Sequence, residues 1–423
     1  MQSNQLKRLL EKDSDKSKRR IGVEIERIGV WPTKTTLQYS DNKQGFGVET
    51  IIRELSKQYG SPTIDEMRDN PLGVNTYLGK VSLEPGGQLE LSTNPVSDLH
   101  ALQSIVEIFQ RDLDSITKRQ GLEWLSMGVN PYDSVDQIEL IPSPRYQIMT
   151  DYFKEKDKLG TSMMRLTASV QINLDYCNEK DAIEMLRMTL ALAPLSYALF
   201  SNSPFSEGKR TDFLSYRSHI WRNTDKGRTG LLPEVFSPNF TLEDYATLVW
   251  NKPLMYVQNK EGEYLPAEGK SLRDIEEGKV QNVTVHENNQ MSALRQMFTE
   301  ARLKTGYVEI RSLDSLNYTE MMAATAFFTG IMYSEIGRTI VEDKLCSLSP
   351  EIRDALWIQA SREGVRTCSS GVNLRELSKA LVQAARNGLK SRELKEEEML
   401  YPLEEIIKNG ETPAERWLKS NLK

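Results

Sequence analysis

The chain has 423 residues, of which 54 are lysine or arginine and 60 are aspartate or glutamate, so its net charge at pH 7 is −6. This mildly acidic balance gives no support for nucleic-acid or membrane-surface binding as the main task. The three histidines and three cysteines are too few to favour a zinc site of the usual nitrogen and sulfur type, and small molecules are the expected partners.

The N-terminal segment, residues 1–20, is polar and of mixed charge. Such a composition is untypical of a secretory signal or a transit peptide, and we predict a cytoplasmic protein. The longest apolar run, residues 185–200, contains Arg187 and Pro194 and is too short and interrupted to span a bilayer. The cysteines are widely spaced, so reduced thiols are expected, with a regulatory bridge between Cys346 and Cys368 as the alternative.

Four segments alternate between apolar and polar residues, the pattern of strands with one face on a core and the other in solvent. They are residues 22–27, 81–92, 165–175 and 307–311. This alternation favours antiparallel strands, because buried parallel strands tend to be apolar throughout. The polar positions hold five glutamates, three amides and two arginines: Glu24, Glu26, Glu84, Glu90, Glu309, Gln88, Gln171, Asn173, Arg165 and Arg311.

These glutamates predict an acidic sheet face. For any one strand a solvated surface is the ordinary interpretation, but such surfaces usually mix the signs of neighbouring charges. Two carboxylates about 5 Å apart repel by about 3 kcal/mol at an effective dielectric constant near 20. A cation must compensate them, and carboxylate and amide oxygens suit Mg²⁺ or Mn²⁺, of which Mg²⁺ often shares its coordination shell with phosphate oxygens.

Helical periodicity is found between and after the strands. It predicts helices over residues 97–119, 179–200, 318–343, 350–362, 373–388 and 391–408. The second of these is apolar nearly all round, which predicts a layer buried behind the sheet. No strand is predicted after Asp314, so the order of elements indicates an α+β protein. We expect one domain over 1–423, with a sheet-bearing core at about 20–320 and a helical tail at about 320–423.

A basic segment, residues 212–230, contains Arg217, His219, Arg222, Lys226 and Arg228. A solvated loop is the ordinary interpretation of such a segment. Beside an acidic, metal-loaded face, its guanidinium groups would match the geometry of carboxylates and phosphates. With three histidines in the chain a Ser-His-Asp arrangement has no support, so we interpret His219 as a structural or substrate-contact residue.

Sequence motifs run in a recognisable order from residue 22 onward. They include Gly-Val-Glu-Ile-Glu-Arg at 22–27, Leu-Glu-Pro-Gly-Gly-Gln-Leu-Glu-Leu-Ser at 83–92, Thr-Ala-Ser-Val-Gln-Ile-Asn-Leu-Asp at 167–175, Ser-Tyr-Arg-Ser-His-Ile-Trp at 215–221 and Val-Glu-Ile-Arg-Ser-Leu-Asp at 308–314. The Glu-Pro-Gly-Gly-Gln stretch is the most specific of them. Together they resemble the glutamate-cysteine ligases of the plant and proteobacterial type, relatives of the glutamine synthetase superfamily.

This resemblance implies a saddle-like antiparallel sheet backed by helices, with magnesium and ATP on its concave face. The metal ligands it implies are Glu24, Glu26, Glu84, Glu90, Gln171 and Glu309. It implies that Arg217, Arg228 and Arg311 act in catalysis as contacts of phosphate or of a substrate carboxylate. We further expect Arg165, Asn173 and His219 to contact the nucleotide or substrate.

The activity that the resemblance implies is ATP-dependent joining of the γ-carboxylate of glutamate to the amine of cysteine through γ-glutamyl phosphate, the first step of glutathione biosynthesis. Its partners would be glutamate, cysteine and ATP, without nucleic acid or membrane, in a monomer or homodimer. Three alternatives stay open at this point: a ligase of the same chemistry with another amine, a two-metal phosphohydrolase, and a non-catalytic relative that binds nucleotide or metal.

Overall fold

Strands and helices alternate through most of the chain in the computed structural model, which describes residues 3–41, 45–65, 70–156 and 159–420. The strands are β1 (Ile21–Val30), β2 (Pro62–Asp65), β3 (Asn70–Asn75), β4 (Gly79–Leu83), β5 (Leu89–Thr93), β6 (Glu123–Leu125), β7 (Val170–Asp175), β8 (Phe205–Ser206), β9 (Lys209–Arg210), β10 (Thr229–Gly230), β11 (Tyr256–Gln258), β12 (Tyr264–Pro266), β13 (Phe298–Thr299), β14 (Ala301–Lys304), β15 (Tyr307–Ile310), β16 (Cys368–Ser369) and β17 (Val372–Asn373). The helices are α1 (Ser3–Leu10), α2 (Val48–Tyr59), α3 (Leu99–Thr117), α4 (Pro144–Lys156), α5 (Gly160–Leu166), α6 (Glu179–Phe200), α7 (Tyr216–Arg222), α8 (Leu242–Asn251), α9 (Leu272–Glu276), α10 (Glu287–Arg295), α11 (Tyr318–Met332), α12 (Glu335–Val341), α13 (Pro350–Glu363), α14 (Leu374–Lys390), α15 (Tyr401–Asn409) and α16 (Pro413–Ser420).

An antiparallel sheet of nine strands lies at the centre of the described part of the chain. Its order is β14-β15-β7-β1-β5-β4-β3-β2, and β6 pairs with the second half of β1. The register places Glu26 of β1 opposite Glu90 of β5, which in turn lies opposite Ser82 of β4. Residues directly opposite each other share a face of the sheet. The predicted α+β class and antiparallel sheet are therefore confirmed.

Two groups of helices cover the apolar face of this sheet. On one half, apolar side chains of β1, β7, β14 and β15 pack against α6 and α11. On the other half, β4 and β5 pack against α2 and the second part of α3. The predicted buried layer is α6: its length and composition would suit a membrane span, but 89% of its apolar window is buried inside the protein, as in the core helix of a globular fold.

The segment over residues 81–92 is a hairpin and not the single alternating strand that the sequence suggests. The N–H of Gly87 donates to the carbonyl of Glu84 at 2.9 Å and closes a turn with Pro85 at its second position, where its fixed φ is favourable. Gly87 has a φ of 80°, which glycine adopts without steric cost. Gln88 consequently leaves the acidic face, and its buried amide donates to backbone carbonyls of the α5–β7 region.

The predicted strand over residues 165–175 begins later than expected. Helix α5 continues through residue 166, and β7 starts only at residue 170. Arg165 therefore lies in a helix, where its Nη1 donates to the carbonyls of Val135 and Ile138 at 3.4 and 3.2 Å. Its predicted position on the acidic face is wrong, because three alternating residues at a helix end have the same pattern as the start of a strand.

The predicted helices are confirmed with changes at their ends. The helix predicted over 97–119 begins at residue 99, after Asp98, whose carboxylate accepts from the N–H of Ala101 at 2.8 Å. The helix predicted over 318–343 is divided into α11 and α12, because Ser334 caps a new helix. The helix predicted over 391–408 starts only with α15, and the short ribbon of β16 and β17 lies in the tail, where no strand was expected.

Candidate functional site

A cavity of about 380 Å³ opens on the polar face of the central sheet. Four of the predicted carboxylates line it: Glu24, Glu26, Glu84 and Glu90. Six cationic side chains line the same cavity: Lys80, Arg145, Arg295, Arg302, Lys304 and Arg311. Aromatic and methionine side chains from α4, α5, α7, β11 and β13 form another part of the wall, and small polar side chains such as Ser82, Ser92 and Ser169 also line it. The arrangement suits a polar ligand that carries several negative charges together with a cation.

Three of the carboxylates form what we call the carboxylate triad, Glu26, Glu84 and Glu90. One oxygen of each lies within 4.8 Å of the others. Pairing of β1 with β5 places Glu26 opposite Glu90, and the β4–β5 turn brings Glu84 over the same point. Chain segments that the sequence separates by about 60 residues thus meet through strand register.

Hydrogen bonds hold two members of the triad in place. The hydroxyls of Ser82 and Ser92 both donate to Oε1 of Glu90, at 2.9 and 2.8 Å. The backbone N–H of Ser169 donates to Oε2 of Glu26 at 2.6 Å. Both serine hydroxyls bind the same oxygen of Glu90, so they do not use its second oxygen.

The close approach of the acidic side chains shifts their titration. Burial, followed by the charge of Glu90, raises the pKa of Glu26 to about 7. Burial, followed by Glu309 and Glu90, raises the pKa of Glu24 to about 8. Burial and the neighbouring triad members raise the pKa of Glu84 well above its ordinary value. Protons thus supply positive charge that a bound divalent cation would supply instead, with release of those protons.

The other predicted glutamate, Glu309, lies on β15, near the β14 edge of the sheet. It is completely buried and forms ion pairs with Arg302, with Lys304 at 3.4 Å and with Arg311 at 3.2 Å. Although burial opposes them, these three cations hold the pKa of Glu309 well below its usual range. Strand β7 separates β15 from β1, which places Glu309 about 10 Å from β1. The chain itself therefore compensates this carboxylate.

Two amides connect neighbouring strands on the polar face. Gln171 donates from Nε2 to Glu26 at 3.0 Å and accepts through Oε1 from Arg311 at 2.5 Å. Asn173 donates to Glu24 at 3.1 Å, while its Oδ1 is buried and has no hydrogen-bond partner among the described residues. Gln171 would have to release Arg311 before its carbonyl could bind a metal. The Asn173 oxygen has no such partner, but Asn173 is not among the residues that line the cavity.

Two arginines stack on one indole, and we call Arg217 and Arg311 the guanidinium pair. Arg311 and the indole of Trp221 line the cavity, whereas Arg217 is not among the lining residues. Each guanidinium carbon lies 5.3 Å from the ring centre of Trp221. Arg217 is 2% exposed, and its Nε and Nη1, like the Nε of Arg311, are buried without a partner in the described structure. Leaving a buried donor unpaired costs about 1–3 kcal/mol of folding free energy. These N–H groups are therefore suited to donate hydrogen bonds to an anionic ligand.

The remaining predicted residues of the basic segment lie elsewhere. Arg228 is buried, with its Nε paired to Asp225 at 2.8 Å and its Nη2 donating to the hydroxyl of Tyr152 at 3.1 Å. It therefore stabilises the connection from α7 to β10. His219 contacts Phe213 with ring centres 4.5 Å apart and stacks on Tyr216 at 5.6 Å. It comes two residues after Arg217 and hence lies on another side of α7. Neither side chain is part of the cavity wall that the structure defines.

Five cations of the wall, all but Arg311, were missed by the sequence analysis. Arg302 and Lys304 alternate with apolar residues in β14, and Arg302 lies opposite Glu309, so the two-residue period could have identified them. Lys80 precedes a predicted strand by one residue and could have been found in the same way. Arg145 and Arg295 lie near helix ends, α4 and α10. Only tertiary packing brings these two to the cavity.

Comparison with known proteins identifies the family. Residues 20–421 match the family model described as glutamate-cysteine ligase family 2. The chain belongs to this family. Among the curated relatives of this chain, the chloroplastic glutamate–cysteine ligase of Nicotiana tabacum is 33% identical over 408 residues. These cover 96% of this chain and 76% of the relative. The chloroplastic glutamate–cysteine ligase B of Oryza sativa subsp. japonica is 34% identical over 404 residues, covering 94% and 79%.

A solved structure supports the fold of this glutamate-cysteine ligase family 2 member. The crystal structure of a glutamate–cysteine ligase from Francisella tularensis in complex with AMP superposes with a TM-score of 0.55 over 97% of this chain and 86% of that one. At 13% identity this likeness concerns the fold alone. It confirms the predicted ligase architecture of an antiparallel sheet backed by helices.

The names of the curated relatives correct the predicted cytoplasmic location. The relatives from Nicotiana tabacum, Medicago truncatula, Oryza sativa and Arabidopsis thaliana are all named as chloroplastic. The cytoplasmic prediction is therefore wrong. Its basis was the composition of residues 1–20, and the physical chemistry of so short a polar segment does not determine the compartment of the enzyme.

Proposed function

We propose that this protein is an ATP-dependent ligase that joins the γ-carboxylate of glutamate to the amine of cysteine, with a divalent cation at the carboxylate triad. One observation supports the proposal above all others. Three carboxylates converge within 4.8 Å in a cavity that cationic side chains also line. Such a cavity can hold a metal ion and polyphosphate oxygens side by side, which amide formation driven by ATP requires.

The donor set of the triad fits Mg²⁺, with Mn²⁺ as the alternative. Hard carboxylate oxygens are preferred by these ions, and the raised pKa values of Glu26 and Glu84 indicate missing positive charge. Glu26, Glu84 and Glu90 would hold the ion, and Glu24 would adjoin them. When bound, the ion would neutralise charge on phosphate oxygens of ATP. We assign Glu309 the role of counter-ion to its three cations, in place of the metal-ligand role expected from the sequence.

The reaction needs a carboxylate oxygen to become part of a leaving group. An oxygen of the glutamate γ-carboxylate attacks the terminal phosphorus of ATP, and ADP departs. The amine nitrogen of cysteine then attacks the carbon of the acyl phosphate, phosphate departs with that oxygen, and the nitrogen loses a proton. Both steps bring anionic groups together, and the guanidinium pair lowers this repulsion by binding and orienting them. A covalent intermediate on a side chain is not required.

Roles for the other predicted residues follow from their contacts. Arg217 and Arg311 have unpaired N–H groups, and we assign them to the transferred phosphoryl group. The unpaired oxygen of Asn173 suits a nucleotide hydroxyl or amine. Arg228 is retained as a structural residue, and the nucleotide roles expected for Arg165 and His219 are not retained, because their side chains bind other parts of the protein.

The proposal is tested by incubating the protein with ATP, Mg²⁺, glutamate and a panel of amines, and identifying the amide by mass. We expect ADP release that requires the cation and glutamate and is greatest with cysteine. A preference for another amine would move the assignment to a ligase of the same chemistry. Equal turnover in excess chelator, or phosphate release without any acceptor, would contradict it.

A further inference from the structure

The helix that carries part of the guanidinium pair is held by the tail of the chain. Helix α7 has seven residues, too few to fix its own orientation. At its start, the N–H groups of Leu214 and Ser215 donate to the carbonyl of Ser361 in α13, at 2.8 and 2.9 Å. At its end, Arg222 forms a bidentate ion pair with Asp354 of α13. Both ends of α7 are thus attached to one tail helix.

Trp357 of α13 contacts the middle of α7. Its indole Nε1 donates to Oγ of Ser218 at 2.8 Å, and the guanidinium of Arg222 lies 4.9 Å from its ring centre. Trp357 is 2% exposed. Ser218 and Arg222 are four residues apart and lie on the same side of the helix. Arg217 and Trp221 are also four residues apart and form the neighbouring stripe, so contact with Trp357 fixes the direction in which they project.

A second route connects Trp357 with the other member of the guanidinium pair. The Trp357 ring stacks on Tyr197 with ring centres 6.3 Å apart and an angle of 17°. The Tyr197 hydroxyl donates to Oε2 of Glu300 at 2.7 Å. The carbonyl of Glu300 accepts from the backbone N–H of Arg311 at 2.9 Å. Chains of contacts therefore connect Trp357 of the tail with both Arg217 and Arg311.

Arg217 itself has few contacts that could orient it. Its Nη2 donates to the carbonyl of Arg311 at 3.1 Å, and its other two guanidinium nitrogens have no partner in the described structure. Its orientation then depends on the placement of α7 and on the Trp221 ring.

We propose that Trp357 is a positioning residue, which acts through Ser218 and α7 to aim Arg217 at the phosphoryl group. This inference rests on the proposed function for its catalytic meaning. It gives the helical tail a defined role, since a side chain about 140 positions from Ser218 sets the geometry of the anion site.

The test uses Trp357→Phe, which keeps an aromatic ring and removes the N–H donor, and Ser218→Ala, which removes the acceptor. A net hydrogen bond is worth about 1 kcal/mol, or about fivefold. We expect each variant to lower kcat/KM for ATP about fivefold, and the double variant to lower it no further than the more affected single variant. The KM for cysteine should stay unchanged. In an Arg217→Gln background, Trp357→Phe should change kcat/KM less than about twofold.

Pyrophosphate binding by calorimetry supplies a readout that does not depend on turnover. The wild-type chain should bind pyrophosphate in the presence of Mg²⁺, Trp357→Phe should weaken binding about fivefold, and the Arg217→Gln background should abolish that difference. If the wild type makes no amide but shows this coupling, the ligase assignment fails and the positioning role stands. A fivefold effect that persists without Arg217, or absence of any effect or of pyrophosphate binding, would overturn the inference.

Leu381→Val supplies the control for a general loss of tail stability. Leu381 is buried in α14 of the same tail. The substitution should lower the melting temperature while leaving kcat/KM and pyrophosphate binding unchanged. A loss of pyrophosphate binding in Leu381→Val equal to that in Trp357→Phe would also overturn the specific role of Trp357.

Discussion

Two regions of the polar sheet face, the β14–β15 edge and the central β1–β5 pair, surround buried carboxylates with charges of opposite sign. At the β14–β15 end, Glu309 is surrounded by three cations of the chain and has a lowered pKa. At the central β1–β5 pair, the carboxylate triad converges and the pKa of Glu26 is raised to about 7. A folded chain tolerates the first arrangement on its own, whereas the second needs protons or a metal ion. The pKa shifts of Glu309 and Glu26 therefore have opposite signs, because cations surround the first carboxylate and carboxylates surround the second.

Glu309→Gln is expected to have the largest effect, on stability. It leaves the buried Arg302 and Arg311 and the partly buried Lys304 without their counter-ion, and breaking a buried ion pair costs about 3–5 kcal/mol. Urea unfolding should show this loss both with and without Mg²⁺. An unchanged free energy of unfolding would mean that Glu309 is not the compensating charge at this end.

Glu84→Gln is expected to have the reverse profile. Loss of a direct metal ligand should lower kcat/KM at least about a hundredfold, since loss of groups that merely support a ligand costs 10–100-fold. Removing one of three repelling carboxylates should keep or raise the melting temperature of the metal-free protein at pH 8. The exposed Glu123→Gln is the control for both measurements. Near-normal turnover of Glu84→Gln would contradict the proposal that the carboxylate triad binds a metal whereas Glu309 is a structural counter-ion.

Ser82→Ala should have a smaller effect on metal binding at the carboxylate triad. It removes one of the two hydroxyls that donate to Glu90, and we expect Mg²⁺ affinity to fall about tenfold as for other supporting residues of metal sites. Lys57→Ala, at an exposed position of α2, should leave the affinity unchanged. The apparent Mg²⁺ constant from activity titrations measures both. An affinity of Ser82→Ala equal to that of the wild type would show that Glu90 needs no orientation.

The smallest expected effect is a pH dependence of stability, with opposite signs for Glu26 and Glu309. Glu26 has a raised pKa, so its contribution to metal-free stability is present below about pH 4.5 and is lost as the pH rises through about 7. Glu309 has a lowered pKa, so its contribution is present above its unfolded pKa and is lost as the pH falls. Melting temperatures of wild type and Glu309→Gln should separate the two over a pH range that extends below the unfolded pKa of glutamate and above about 7. Mg²⁺ should remove the loss at high pH, and a loss that persists with Mg²⁺ would contradict the assignment.

Much of the fold could be predicted because its signals are local. The two-residue period of β1 and of residues 307–311, and the apolar character of α6, needed no tertiary information. The errors occurred where a short pattern has two structural solutions. Arg165 continues an alternation that belongs to a helix end, and the glycines at 86 and 87 turn the chain inside an alternating segment.

The sequence predicted which carboxylates lie on the polar face better than it predicted how they are grouped in space. The sequence identified Glu26, Glu84 and Glu90, but it could not separate them from Glu309, because all four alternate with apolar residues. The separation depends on the order of strands, which places β7 between β1 and β15. Similarly, Arg217 and Arg228 belong to one basic segment, yet only packing shows that Arg228 is already paired to Asp225.

Direct measurement of Mn²⁺ binding tests the central claim, that the carboxylate triad is the part of the sheet face that needs a cation. Calorimetry near pH 7 in two buffers of different ionisation enthalpy would give both affinity and proton release for wild type, Glu84→Gln and Glu309→Gln. We predict that the wild type binds Mn²⁺ with release of protons and that Glu84→Gln loses this binding. Folded Glu309→Gln should retain it. Mn²⁺ binding that is unchanged in Glu84→Gln and absent in folded Glu309→Gln would contradict the account.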